Sequence, residues 1–210
     1  MIISLSGLDG SGKSFSARLI SNYLGKINKK SIIVHMGGHS IFGVISKVLK
    51  KNHKKFHEKI RDFEYIPKKN KYRSLIRFLK RITSIIDIFI FYLRIFFEWT
   101  RGNIIVCDRY FYDLLVQGKY FKFFGEYFSF LYLKLIPKPT ISFFIDTDFN
   151  TAFNHANKHK HHNLNFFKKK YDLYSRLDIS FVTIKNHNTK KFEKIIINEI
   201  NKKLIYHQIE

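Results

Sequence analysis

A single cysteine, Cys107, excludes any disulfide within the chain and fits a reducing, cytoplasmic setting. Only three prolines occur in 210 residues, so proline-rich linkers and collagen-like repeats are excluded. No self-similarity recurs at periods of about 20 to 50 residues, which argues against a solenoid. The N-terminal MIISLSGLDG lacks a basic leader and has too short an apolar run for a signal peptide. Long charge-free apolar stretches are also missing. The best candidate, 82–99, contains Asp87 and Arg94. Each would cost about 2.5–3.5 kcal/mol near a bilayer centre. A buried amphipathic helix is expected there, and no membrane span. Acidic residues are few, 16 Asp and Glu against 38 Lys and Arg.

The result is a formal net charge of +22, carried by 29 lysines and 9 arginines. Two readings fit it. One is attraction to polyanions. The other is coding bias, because Lys, Asn, Ile, Phe and Tyr are all abundant and all have AT-rich codons. Half of the excess lies in 47–81, which holds 14 Lys or Arg and only Glu58, Asp62 and Glu64. This basic insertion is either a solvated helix-loop-helix or a docking face for an anionic partner. The hydrophobic fraction of 45% suits one globular domain over 1–210.

Five nearly continuous apolar runs read as strands: 2–6, 31–35, 103–107, 140–145 and 180–185. Such runs belong to strands covered on both faces. Helices are expected at 13–24, 41–51, 72–100, 123–135, 149–178 with a break, and 189–206. Gly25 and Gly102 can take the left-handed turn that ends a helix, and Pro137 and Pro139 stop one before the fourth strand. Alternation of strand and helix predicts an α/β fold with a parallel sheet, whose ligands bind at the carboxyl ends of the strands.

At the end of the first strand stands Gly7-Leu8-Asp9-Gly10-Ser11-Gly12-Lys13-Ser14, a full match to G-x-x-x-x-G-K-[ST] in the strand–motif–helix context it requires. The glycines let successive backbone N–H groups curl inward as an anion nest. The helix N-terminus adds partial positive charge. Lys13 reaches the β- and γ-phosphates of a nucleotide, and the Ser14 hydroxyl is a ligand for Mg²⁺. Asp9 is anomalous in an anion-binding loop. It either projects toward a second substrate or stabilises the loop's own turn.

The third strand ends in Cys107-Asp108-Arg109-Tyr110. Asp108 can hold a water of the Mg²⁺ shell, and Arg109 offers a planar fork to a phosphate. The alternative is an exposed salt bridge between Asp108 and Arg109 or their neighbours. With GLDGSGKS, RGNIIVCDRY, PKPTISFFIDTD and KKKYDLYSRL in order, the sequence resembles the thymidylate kinase family of P-loop nucleoside monophosphate kinases. DRYFYDLL followed by LKLIPKP is similar to a branch associated with bacterial surface-polysaccharide genes.

The resemblance implies a three-layer P-loop NTPase fold: a five-stranded parallel sheet flanked by helices, with a lid segment at about 153–170. It implies transfer of the ATP γ-phosphoryl to a nucleoside 5′-monophosphate, dTMP above all, with Mg²⁺. A sugar or glycan acceptor, or polyanion docking without catalysis, are the alternatives. Lys13, Asp108 and Arg109 are the expected catalytic residues, and residues 7–14 the ATP cradle. Asp9, Arg109, Tyr110 and Gln117 are expected to meet the acceptor, and Ser14 and Asp108 the metal. A homodimer through the apolar 82–99 helix is expected by the same analogy.

The chain departs from the family pattern on the acceptor side. His35-Met36-Gly37-Gly38-His39-Ser40 lacks the arginine usual there. Asp87 stands near the position of another phosphate-binding arginine, with Arg81 and Arg94 off register. Asp113 replaces a serine, and Val116-Gln117-Gly118 comes one residue early. In the lid, Lys158, Lys160 and Lys168 to Lys170 can supply positive charge. His155, His159, His161 and His162 lack carboxylate or thiol companions and read as solvated loop.

Overall fold

The computed structural model describes residues 1–36, 72–157, 164–185 and 189–206. Strands β1 (Ile2–Ser6), β2 (Ser31–His35), β3 (Ile104–Asp108), β4 (Ile141–Asp146) and β5 (Val182–Lys185) pair in the order β2-β3-β1-β4-β5. Every pairing is parallel. The helices among the described residues are α1 (Lys13–Lys26), α2 (Tyr72–Thr100), α3 (Phe111–Tyr120), α4 (Glu126–Leu135), α5 (Phe149–Asn157), α6 (Leu164–Ser175) and α7 (Thr189–Tyr206). The expected helix 41–51, the turn 37–40 and most of the basic insertion lie outside the described residues.

The central strands are buried because helices cover both faces. Ile3, Leu5, Val106 and Phe143 pack with Ile20 and Leu24 of α1 and Ile196 and Ile200 of α7 on one side. On the other, Phe91 of α2, Phe111 and Leu115 of α3 and Tyr132 of α4 enclose Ile105 and Cys107. A third cluster of Leu8, Val116, Ala152, Phe167 and Tyr174 ties α3, α5 and α6 to the loop after β1. Each fully buried side chain of this size contributes about 1.5–3 kcal/mol. The result is the expected three-layer fold.

Several local expectations change. Residues 111–120 form a helix of their own, started by the Asp113 carboxylate, which accepts from the Tyr110 amide at 2.9 Å. Gly25 stays inside α1, and Asn28 takes the left-handed turn (φ 58°). The helix over 82–99 is buried on one side only. Ile88 and Phe91 are buried, whereas Phe78, Ile82, Ile85, Phe89, Tyr92, Phe96 and Trp99 are exposed. Among the described residues no helix is long and apolar enough to cross a membrane.

Register sets the position of the site. Leu5 of β1 pairs with Asp108 of β3, and His35 of β2 pairs with the same residue. The carboxyl ends of these three neighbouring strands are therefore level, with the β1–α1 turn beside the acid of β3.

Candidate active site

The turn after β1 is possible only with glycine at its tight points. A Cβ on Gly7 (φ +148°) would lie 2.7 Å from the Ile145 carbonyl oxygen, and one on Gly10 (φ +83°) 2.4 Å from that of Ala152. Helix α5 packs directly on the turn, and His155 Nδ1 is 3.3 Å from the Gly10 carbonyl oxygen. Leu8 and Ser11 are buried, and the Ser11 carbonyl accepts from Thr147 Oγ1 at 3.2 Å. The first turn of α1 carries no acid, so its free amides and dipole remain available to an anion.

Lys13 is buried at 5% exposure and folds back on the turn. Its Nζ donates to the carbonyls of Gly7 at 2.8 Å and Leu8 at 2.5 Å. Burial lowers its pKa to about 8. Asp113 and Asp9 oppose that shift, while Arg109 and Lys170 add to it. A polyphosphate entering the turn offers this ammonium better acceptors than two carbonyl groups.

Ser14 Oγ donates to Asp108 Oδ2 at 2.6 Å, and His35 Nδ1 lies 3.2 Å from the same oxygen. Asp108 Oδ1 is buried without a hydrogen-bond partner. A hydroxyl and a carboxylate with an unsatisfied oxygen form a hard-oxygen donor set. They fit Mg²⁺, which characteristically takes one or two protein ligands and completes its shell with water and phosphate.

Arg109 occupies a left-handed conformation (φ 72°) at the strand tip. Such strain persists where surrounding contacts over-determine it. Here Arg109 Nη2 is hydrogen-bonded to Asp9 Oδ1, across the loop. Burial alone would lower the Arg109 pKa, but Asp9 and Asp113 outweigh it and raise it. The other Asp9 oxygen, Oδ2, lies 3.8 Å from Lys170 Nζ of α6. Asp9 thus faces cations from two elements and does not serve its own turn alone. Asp108 and Arg109 do not pair with each other: Arg109 pairs with Asp9, and Asp108 meets Ser14 and His35.

The structure brings together residues 7–14, Asp108 and Arg109. It does not bring Tyr110 to them. That ring is fully buried among Phe91, Phe111 and Tyr112, and its hydroxyl donates to the Pro137 carbonyl. Tyr110 is therefore core, not a stacking surface. Gln117 is exposed on α3, one helical turn beyond Asp113. Its neighbour Gly118 makes room for the Phe124 ring, whose nearest atom would lie 2.4 Å from a Cβ there.

Sequence reasoning missed the structural weight of Asp113. Its carboxylate accepts from Ser6 Oγ at 3.0 Å, Gly7 N at 3.3 Å and Tyr174 OH at 2.5 Å, besides Tyr110 N. Burial raises the Tyr174 pKa well above its ordinary value, and the neighbouring carboxylate of Asp113 adds to it. An acid three positions into a helix that follows a charged strand tip was the available signal, but its partners come from β1 and α6. Beside His35, a cavity is walled by Val34, Met36, Ile90, Phe91 and Leu114, with Asp87 and Arg94 as its charged members.

A parallel α/β sheet with an amide-lined turn, its lysine and an acid on the adjacent strand defines a P-loop nucleotide-binding protein. The family model described as thymidylate kinase matches residues 5–205, and the chain belongs to that family. It is an enzyme of thymidylate-kinase type, catalysing ATP-dependent phosphotransfer. Comparison with curated proteins gives no match.

Proposed function

We propose that the chain transfers the γ-phosphoryl of Mg²⁺-bound ATP to a nucleoside 5′-monophosphate, with dTMP as the first acceptor to test. The observation that carries this reading is the Asp9–Arg109 pair, which joins the β3 tip to the P-loop. In it, the amides of residues 7–14 hold the donor phosphates, and Lys13 exchanges the Gly7 and Leu8 carbonyls for phosphate oxygens. Ser14 and Asp108 would hold the metal, which would supply neutralisation of the phosphates' charge. Arg109 holds the acceptor phosphate, Asp9 accepts from an acceptor hydroxyl, and Gln117 flanks the acceptor. An acceptor phosphate oxygen bonds to the γ-phosphorus as the bond to the β-γ bridging oxygen breaks, leaving ADP. The protein's part is alignment and charge neutralisation.

A coupled assay for ADP release with ATP, Mg²⁺ and dTMP tests it, with other nucleoside monophosphates and sugars in parallel. No turnover of dTMP at millimolar concentration removes dTMP as acceptor. A second reading, a sugar or glycan intermediate as acceptor, is favoured by Asp87. It brings a carboxylate to the cavity beside His35, which suits hydroxyl groups better than phosphate.

Two partner proposals accompany this reading. Phe78, Ile82, Ile85, Phe89, Tyr92, Phe96 and Trp99 alternate spacings of four and three along α2 and are exposed. That heptad seam suits a second helix, and a second copy of this chain supplies a matching one. Sedimentation of Phe89→Glu against wild type tests the dimer. The cationic stretch 47–81 is proposed to contact polyanions. Retention on heparin that survives neutralisation of its lysines would refute that contact.

A further inference from the structure

Three consecutive lysines on α6 have different fates. Lys168 and Lys169 are exposed, whereas Lys170 is only 5% exposed and shares the buried face with Phe166, Phe167 and Tyr174. Helical spacing explains this, since positions 166, 167, 170 and 174 fall on one side. An ammonium placed in an apolar stripe costs free energy unless something compensates it. Two compensations are visible. Lys170 Nζ stands 5.1 Å from the Phe166 ring centroid and 3.8 Å from Asp9 Oδ2.

Arg109 binds the other oxygen of the same carboxylate. One anionic group therefore spans two cations from separate elements, the β3 tip and α6, next to an amide-lined turn. The arrangement is graded in exposure: side-chain values are 7% for Lys170, 13% for Asp9 and 27% for Arg109. Two cations that each face one oxygen of the same carboxylate can also each face one oxygen of a phosphate, which brings greater negative charge and a third oxygen.

We propose that Lys170 and Arg109 form a two-cation clamp for the acceptor's phosphate, and that Asp9 keeps the clamp spaced in the free protein. This rests on the phosphoryl-acceptor reading above. The acceptor phosphate takes the place of the Asp9 carboxylate between the two cations, and Asp9 turns to an acceptor hydroxyl. Lys170 is then a residue that touches the reacting phosphate and not a solvated lid charge.

Calorimetric titration of the full chain with dTMP and with thymidine tests this. Thymidine has the same base and sugar without the phosphate. Lys170→Met keeps an unbranched apolar stem and removes the ammonium, and with it the contacts to Asp9 and to the Phe166 ring. It is expected to weaken dTMP about 10- to 100-fold, the loss of one charge-assisted hydrogen bond, while leaving thymidine within about twofold. Lys170→Arg should recover most of the dTMP affinity. Lys170→Gln is the second variant, because its amide still donates to Asp9. If Lys170 served only to hold Asp9, Lys170→Gln would bind dTMP like wild type, and that result overturns the clamp. Equal losses for dTMP and thymidine overturn it too. Failure of wild type to bind dTMP counts against the acceptor reading alone. The variants are then titrated with inorganic phosphate in saturating MgADP, where an unchanged affinity in Lys170→Met overturns the clamp.

Discussion

Replacing Asp113 by asparagine changes almost no volume and yet should be among the most damaging single substitutions in this chain. The carboxylate is 6% exposed and accepts four hydrogen bonds, from Ser6 Oγ, Gly7 N, Tyr110 N and Tyr174 OH, at 2.5 to 3.3 Å. Asparagine keeps one acceptor oxygen and puts an NH₂ group in place of the other. With its oxygen at the Oδ2 position it serves Ser6 and Tyr110 but points NH₂ at the Gly7 amide and Tyr174. The opposite rotamer keeps Gly7 and Tyr174 and strands the Tyr110 amide. A hydroxyl can rotate and accept; a backbone amide cannot. A stranded buried donor costs about 1–3 kcal/mol, and a weakened hydroxyl contact adds to it. The expected loss is about 2–4 kcal/mol, a large share of a stability of roughly 5–15 kcal/mol. Equilibrium unfolding in urea measures it. Gly7 opens the phosphate cradle, so ATP affinity of the folded protein should fall at least about tenfold as well. Asp113→Ala removes every acceptor and must cost more than Asp113→Asn. A loss below about 0.5 kcal/mol with unaltered ATP affinity would refute the reasoning, since it would mean that those donors find other partners.

Lys13, with its pKa lowered to about 8 by burial, makes ATP binding proton-linked. At pH 6.5, well below that value, the ammonium is already charged and binding takes up almost no proton. At pH 9 the free protein is mostly neutral at Lys13, and binding should take up about 0.9 proton. Calorimetry in buffers of different ionisation enthalpy reads this directly; equal uptake at pH 6.5 and 9 would contradict it. The same shift costs the free protein stability at neutral pH. That cost is relieved as pH rises from about 8 toward the ordinary lysine value, because the unfolded chain then holds more protons. Ser14→Ala loses the 2.6 Å bond to Asp108 and, on the proposed reading, one metal ligand. It should weaken MgATP about tenfold while leaving ATP in EDTA unchanged, and equal effects on both would argue against a metal role. Gly10→Ala forces a Cβ to 2.4 Å from the Ala152 carbonyl oxygen at φ +83°. Unfolding should show a loss of about 1–3 kcal/mol, and wild-type stability would mean that α5 yields freely.

What could be read from the sequence was what local chemistry determines. The GLDGSGKS spacing requires a particular backbone path, so the cradle, its lysine and its flanking strand and helix stand where expected. The apolar runs located all five strands to within one or two residues. Harder to read was anything set by tertiary neighbours. Tyr110 followed a charged pair and suggested a stacking ring, but β3 ends at Asp108 and the chain turns Tyr110 into the core. DRYFYDLL read as a motif, which hid the helix that it begins. Lys170 was one of three equal lysines until helical phase separated it from Lys168 and Lys169. Asp113 could be seen as a departure from the family pattern, but its donors lie 107 residues upstream on Ser6 and 61 residues downstream on Tyr174.

The site also bears on the meaning of the +22 charge. Around the cradle three cations, Lys13, Arg109 and Lys170, face three carboxylates, Asp9, Asp108 and Asp113. Among these described residues the charges formally balance, so the six add nothing to the excess. Charges farther away are screened over about 10 Å at 0.1 M salt. They raise the local concentration of anionic substrates without selecting among them. Selection needs groups in contact, and there the carboxylates matter more than the lysines do. Asp9 must be drawn away from Arg109 and Lys170 before a phosphate can have both. A weak or misplaced anion leaves that pair closed, whereas a nucleotide that presents a phosphate and a hydroxyl together can satisfy the cations and Asp9 at once. On the proposed clamp, the excess charge and the site would divide the work: the excess would gather anions, and Asp9 would decide which of them the cations accept.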